Sequence, residues 1–297
     1  MLIYEGAAVL AATCWAITGL VSSKPAGHLG AIGFNFARMW SVVVMLAAYT
    51  LISGSWQTLS YDYLPLLFIS GFIGIFVGDT ALFLTLNRLG PRRTSIIFAM
   101  NAPISVILGA LLFGEKLSIQ EVSGILLVIV GVVLAIAFGK RKDQLHQWEA
   151  VKGPLVIGVG LGLVAATSQS IGSLAIKPIM SLGADPLAVA LVRCTIAAIG
   201  LSFLVSLPSP MFKFARPMTI NILGFCIVSG FLGMGVGMSF LLFALEGGEV
   251  GIVSTLSATS PAILLPLLWW RTGQAPAIGA WIGAFLVIIG CALIFRV

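Results

Sequence analysis

Apolar residues along this chain come in long runs separated by short polar breaks. Ten runs stand out, at 6–23, 33–53, 64–86, 94–113, 120–138, 153–173, 184–206, 219–243, 250–270 and 275–295. Each is close to the ~20 residues that carry a helix across the hydrocarbon of a bilayer. The pattern predicts an all-α polytopic membrane protein of ten transmembrane helices. It leaves no room for a soluble domain of about 50 residues or more. The first run has the position of a signal peptide. It follows only five residues, lacks a basic leader and ends in Lys24-Pro25, so it is expected to stay as a membrane helix.

The runs repeat in order. GFIGIFVGDTALFLTL (Gly71–Leu86) returns as GFLGMGVGMSFLLFAL (Gly230–Leu245), with Gly71, Gly74 and Gly78 matching Gly230, Gly233 and Gly237. Ala11-Ala12-Thr13 returns as Ala165-Ala166-Thr167, Lys24-Pro25 as Lys177-Pro178, Arg38 as Arg193, Pro103 as Pro261 and Gly131 as Gly290. The chain therefore divides into a first five-helix repeat, 1–138, a polar linker, 139–152 (GKRKDQLHQWEAVK), and a second five-helix repeat, 153–297. A repeat with an odd number of spans delivers the next copy upside down. Inverted repeats are the architecture of many secondary transporters, with the substrate site near the midplane between the halves. Packing alone is the other use of such a duplication.

Composition agrees with a lipid solvent. Hydrophobic residues make up 59%, charged residues 9%, and the mean hydropathy is +1.12. A soluble domain carries about a quarter charged residues. The net charge of +6 does not point to nucleic acid, because the basic residues cluster in connections. Lys24, Arg88, Arg92, Arg93, Lys140, Arg141, Lys142, Lys152, Lys213, Arg216 and Arg271 fall on one side, against Lys116, Lys177 and Arg296 on the other. Positive residues favour the cytoplasm, which places both termini outside.

Enzyme chemistry is nearly absent from the sequence. His28 and His146 fall in connections, and no zinc-protease helix, serine elbow or phosphate loop is present. GVGLGL (158–163) lies inside an apolar run and reads as close helix packing. Cys14, Cys194, Cys226 and Cys291 sit singly in apolar runs, as small buried hydrophobes. No metal, cofactor or nucleic acid is expected. The expected partners are a small-molecule substrate and membrane lipid, and the chain is compatible with a monomer.

Candidate chemistry lies within the runs. Pro103 and Pro261 each free a backbone carbonyl, of Ala99 and Ser257. Such a carbonyl must find a partner in lipid. Asn101 beside one proline, and Ser257, Thr259 and Ser260 around the other, suit a cavity wall; hydroxyls that merely heal a kink suit them equally. Thr13 and Trp15 lie in the first run and Gln169 in the sixth, with Trp15 and Gln169 at equivalent positions of the repeat. Arg38 and Asp79 are ionisable residues at similar depth. Such residues inside a membrane are costly and usually functional. They read either as a structural ion pair or with Asp79 as a proton or cation site. The second repeat has Met238 where the first has Asp79. With Phe83 and Ser239 from the two copies, the candidate substrate-binding set is Thr13, Trp15, Asp79, Phe83, Asn101, Gln169, Ser239, Ser257 and Thr259.

The proline of the fourth run, followed by LLFGEKLSIQEVSGILLVIVGVVL (Leu111–Leu134), resembles the drug/metabolite transporter superfamily in its ten-helix EamA branch. The likeness covers nearly the whole chain. The second repeat keeps Pro261 and the glycine-spaced last helix but has Arg271-Thr272-Gly273-Gln274 where the first has Gly-Glu. Within that family the chain is similar to the YddG-type exporters of aromatic and other neutral amino acids. The resemblance implies a multi-pass inner-membrane secondary transporter exporting such solutes by alternating access, with a passive facilitator of the same fold as the alternative. Family members are usually drawn with both termini in the cytoplasm, opposite to the placement from loop charge.

Overall fold

The structure is a computed structural model that describes residues 2–113, 117–139, 150–247 and 256–295. The Gly114-Glu115 pair, most of the linker with His146, and the start of the ninth run lie outside the described residues. Every regular element among the described residues is helical. In order they are α1 (Leu2–Leu29), α2 (Ala31–Ser53), α3 (Leu64–Ile69), a π-helical Ser70–Val77, α4 (Gly78–Phe98), α5 (Asn101–Phe113), α6 (Ile119–Ala137), α7 (Leu155–Ser181) and α8 (Pro186–Ser206). Then come α9 (Ile220–Gly230), a π-helical Phe231–Val236, α10 (Gly237–Gly247), α11 (Ser260–Thr272) and α12 (Ile278–Ile294).

Among the described residues, seven helices are long and apolar enough to cross a membrane. The tally is below ten for local reasons. The third and fourth expected spans run together as Tyr61–Phe98, joined at Gly90 (φ 77°), a left-handed backbone that glycine adopts without strain. Pro91 then starts the next helix, and the chain breaks again at Ala99–Met100, just before Pro103. The last two helices are 13 and 17 residues long.

Local chemistry sets several ends. Ser118 and Glu121 form a reciprocal capping box at α6. Asp185 accepts from the amides of Leu187 and Ala188 to cap α8, and Thr219 caps α9. These contacts satisfy amides that would otherwise be orphaned at a helix start.

The helices pack reciprocally. The third span touches α7 and α8, while its counterpart in the second repeat, α9 to α10, touches α1 and α2. α5 lies on α7, α11 lies on α1, and α2 meets α8. Exchanging the two repeats maps each contact onto another in the set. The last helices of the repeats, α6 and α12, meet each other. A Cβ on Gly124 would come 2.6 Å from the Gly290 carbonyl oxygen, and one on Gly131 2.7 Å from that of Gly283. Backbones approach this closely only where side chains are absent. The outer faces of the pair carry exposed Leu126, Val130, Val133, Ile282, Phe285 and Ile289, as a lipid-facing surface requires. Cys194, Cys226 and Cys291 are buried free thiols, and Cys14 is half-buried.

Candidate substrate site

The repeated stretch builds the centre of the molecule. Both copies pass through a π-helical segment at the same place. The wider turn shifts side-chain register, and such segments are frequent at functional sites. The glycines of each copy face the opposite repeat. A Cβ on Gly71 would come 2.9 Å from the Arg193 carbonyl oxygen, and one on Gly74 2.8 Å from Gly172 Cα. On the other side, a Cβ on Gly230 would come 2.8 Å from Val42 Cγ2. The same exchange holds for the arginines. Arg193 Nη2 lies 3.5 Å from the Cβ position of Gly74, and Arg38 Nη2 lies 3.6 Å from that of Gly233.

Arg38 and Asp79 are paired. Arg38 Nη1 donates to Asp79 Oδ2 at 2.9 Å, with the side chains 7% and 18% exposed. The guanidinium also lies over the Phe83 ring, 5.2 Å from its centroid. Phe83 in turn meets Phe34 edge to face at 4.8 Å. Ring and acid together hold this charge in a low-dielectric setting. Asn35, one turn earlier on α2, is fully buried and donates to Thr80 Oγ1 at 3.5 Å.

The polar atoms here are not all satisfied. Thr18 Oγ1, Asn35 Oδ1, Arg38 Nε and Arg193 Nε are buried without a hydrogen-bond partner among the described residues. Most buried polar groups in folded proteins are paired, so a cluster of exceptions asks for an occupant or a function.

The expected residues fare differently. Asp79 and Phe83 join Arg38 as described. Trp15 Nε1 donates to the Gly233 carbonyl at 3.1 Å, tying α1 to the second π-helical segment. The Asn101 carbonyl accepts from Ser170 Oγ at 2.9 Å, which brings the start of α5 onto α7. Gln169, the neighbour of Ser170, is half-buried, and its side chain makes no hydrogen bond among the described residues. Thr13 donates within its own helix to Val9, and Thr259 within its own turn to Leu256. Ser239 stands apart: it is exposed, donates to the Gly235 carbonyl, and borders an apolar cleft of about 360 Å³ with Met45, Tyr49, Phe231 and Phe240.

The proline carbonyls are repaired locally. Ala99 O accepts from the Ala102 amide at 3.2 Å, and Ser257 O accepts from Ser260 Oγ at 3.2 Å. Ser260 Oγ also reaches the Ala12 carbonyl at 3.1 Å, linking α11 to α1. Hydroxyls thus heal the second kink while joining helices of opposite repeats.

Three serines escaped the sequence reading. Ser229 Oγ and Ser22 Oγ are 2.8 Å apart and buried, and Ser70 Oγ donates to the Gly172 carbonyl at 2.6 Å. The signal was present: Ser70 and Ser229 directly precede the first glycine of each copy, so the repeat begins one residue earlier. Arg92 and Arg93, counted with the loop charges, are 1% and 5% exposed, and Arg92 donates to the Ala135 carbonyl.

The EamA-like transporter family model matches residues 2–137 and again 156–296. An uncharacterized transporter of Archaeoglobus fulgidus is 25% identical over 134 residues, covering 45% of this chain and 48% of that protein. The chain thus spans about half the length of the curated relative it matches. A solved crystal structure superposes with a TM-score of 0.67 at 18% identity, over 98% of this chain and 94% of that one. That likeness bears on the fold alone.

Proposed function

The chain belongs to the EamA-like transporter family and is a multi-pass membrane transporter; from that premise we propose that it is a secondary carrier exporting aromatic or other neutral amino acids, or similar small organic metabolites, by alternating access. In this reading residues 1–138 and 153–297 are inverted five-helix repeats joined by 139–152, ten spans in all, in an inner membrane. The observation that carries it is the reciprocal crossing at the centre. Each glycine-lined π-helical segment leans on the arginine-bearing helix of the other repeat. Two rigid bodies that meet across small residues can rock against each other about a central site, which is how inverted repeats alternate access. The lining is drawn from α1, the third span, α5, α7, the eighth span and α11. α6 and α12 stay at the periphery. Trp15, Asn101, Gln169, Ser257 and Thr259 supply aromatic and polar groups suited to a neutral organic solute.

Counterflow in proteoliposomes tests the reading. Vesicles loaded with unlabelled phenylalanine or leucine should transiently accumulate the labelled compound against its gradient. Simple equilibration without overshoot indicates a passive facilitator, and no amino-acid flux at all removes the substrate class.

A further inference from the structure

Arg193 is the least explained group in the molecule. It lies about two turns into α8 and is 8% exposed. Its Nε has no partner, and its guanidinium makes no hydrogen bond and no ion pair among the described residues. Asp79 forms its ion pair with Arg38 and not with Arg193. By repeat position the acid of Arg193 would stand at 238, where the chain has methionine. Among the described residues the central crossing therefore holds two guanidinium groups and one carboxylate.

A buried, unpaired cation is expensive. Its cost is offset only by an opposite charge in good geometry. Beside Arg193 Nη2, Gly74 and Gly172 present no side chain and pack on each other, so a carboxylate reaches this nitrogen when the two repeats rock apart along that seam. A Cβ on either glycine would sit 3.5 Å from that nitrogen. The planar, forked guanidinium matches a carboxylate through two parallel hydrogen bonds. From these observations we infer that Arg193 binds the carboxylate of the transported solute, which supplies the negative charge that Met238 does not. This rests on the transporter reading and narrows its substrate class to organic carboxylates. The site also gives the two repeats different tasks. The Arg38–Asp79 pair is closed within the first repeat, whereas the second repeat is completed only by cargo. Export of a zwitterion would then carry its carboxylate past Arg193 and leave the ammonium to the aromatic faces.

Thermal unfolding of the full-length protein in detergent, followed by native tryptophan fluorescence, tests the assignment. The probes are phenylalanine, 3-phenylpropanoate and phenethylamine, each against sodium chloride at equal ionic strength. Both carboxylates should raise the Tm of the wild type, and phenethylamine should not. In Arg193→Met the carboxylate response should weaken by about tenfold to a hundredfold in apparent affinity, the worth of charge-assisted hydrogen bonds. Its ligand-free Tm should equal or exceed that of the wild type, because an unpaired buried charge has gone. A structural arginine would instead lower it. Arg193→Gln gives the same comparison should the methionine variant fail to fold. Retention of the carboxylate response in these variants overturns the inference. So does a wild type that answers equally to phenethylamine, or to no carboxylate. Stabilisation by 3-phenylpropanoate without amino-acid counterflow would leave the anion site standing and remove only the amino-acid reading.

Discussion

The surroundings of Arg38 and of Arg193 are built from the same repeated sequence and end in different electrostatic states. Arg38 has an acid at 2.9 Å and an aromatic ring beneath it. Arg193 has neither among the described residues, though the same glycine frame lies beside it. Duplication gives a scaffold twofold pseudo-symmetry. One substitution, acid to methionine, then makes one side self-sufficient and leaves the other in need of a partner. Each variant below either erases that difference or enlarges it.

The largest effect is expected at Asp79. Asp79→Asn leaves Arg38 buried without its counter-charge, a loss of about 3–5 kcal/mol. Folded yield should collapse, and adding Arg38→Met should restore it. Normal yield and normal transport in Asp79→Asn would show that the pair is dispensable for both. Next comes Gly74→Ala, which forces a methyl to within 2.8 Å of Gly172 Cα and should cost about 1–3 kcal/mol by overpacking. The equivalent Gly233→Ala meets Thr18 Cγ2 at an ordinary 3.4 Å and should stay within about 0.5 kcal/mol of wild type. Equal losses would contradict the unequal fit of the two copies. Met238→Asp makes the second repeat resemble the first; it should pair with Arg193 and abolish the carboxylate-induced rise in Tm. The smallest contrast concerns the serines. Ser229→Ala leaves the Ser22 hydroxyl buried without its partner, at a cost of about 1 kcal/mol. Ser70→Ala removes a donor from a carbonyl on α7 and should cost less. Thermal unfolding of the two single variants side by side decides the order.

The long apolar runs made the membrane fold legible, because hydrocarbon admits little except helices whose backbone groups are satisfied internally. The glycine frame announced the duplication, and the depth of Arg38 and Asp79 offered their pairing as one of two readings, the one the structure shows. Other features depend on packing across repeats and could not be read from spacing. The π-helical turns at Ser70–Val77 and Phe231–Val236 leave no mark in hydropathy, since the residue types suit an α-helix equally well. The bond from Ser260 to Ala12 joins residues 248 positions apart. Thr13, Thr259 and Ser239 looked like free polar groups in the sequence, yet each hydroxyl bonds to its own helix or turn. This is the usual fate of serine and threonine where a carbonyl one turn back is in reach. The cap at Ser118-Ile-Gln-Glu121 was legible as a capping box, though the glycine-glutamate before it drew attention first.

Accessibility at the centre tests the account most directly. In a Cys14→Ala background, single cysteines at Gln169 and at Val130 can be exposed to a membrane-impermeant maleimide in nanodiscs. Gln169→Cys should react, and phenylalanine should slow the reaction, if position 169 lines the pathway as proposed. Val130→Cys, on the lipid face of α6, should stay unreactive with or without phenylalanine. Labelling at 130 with none at 169 would contradict a pathway between the two repeats.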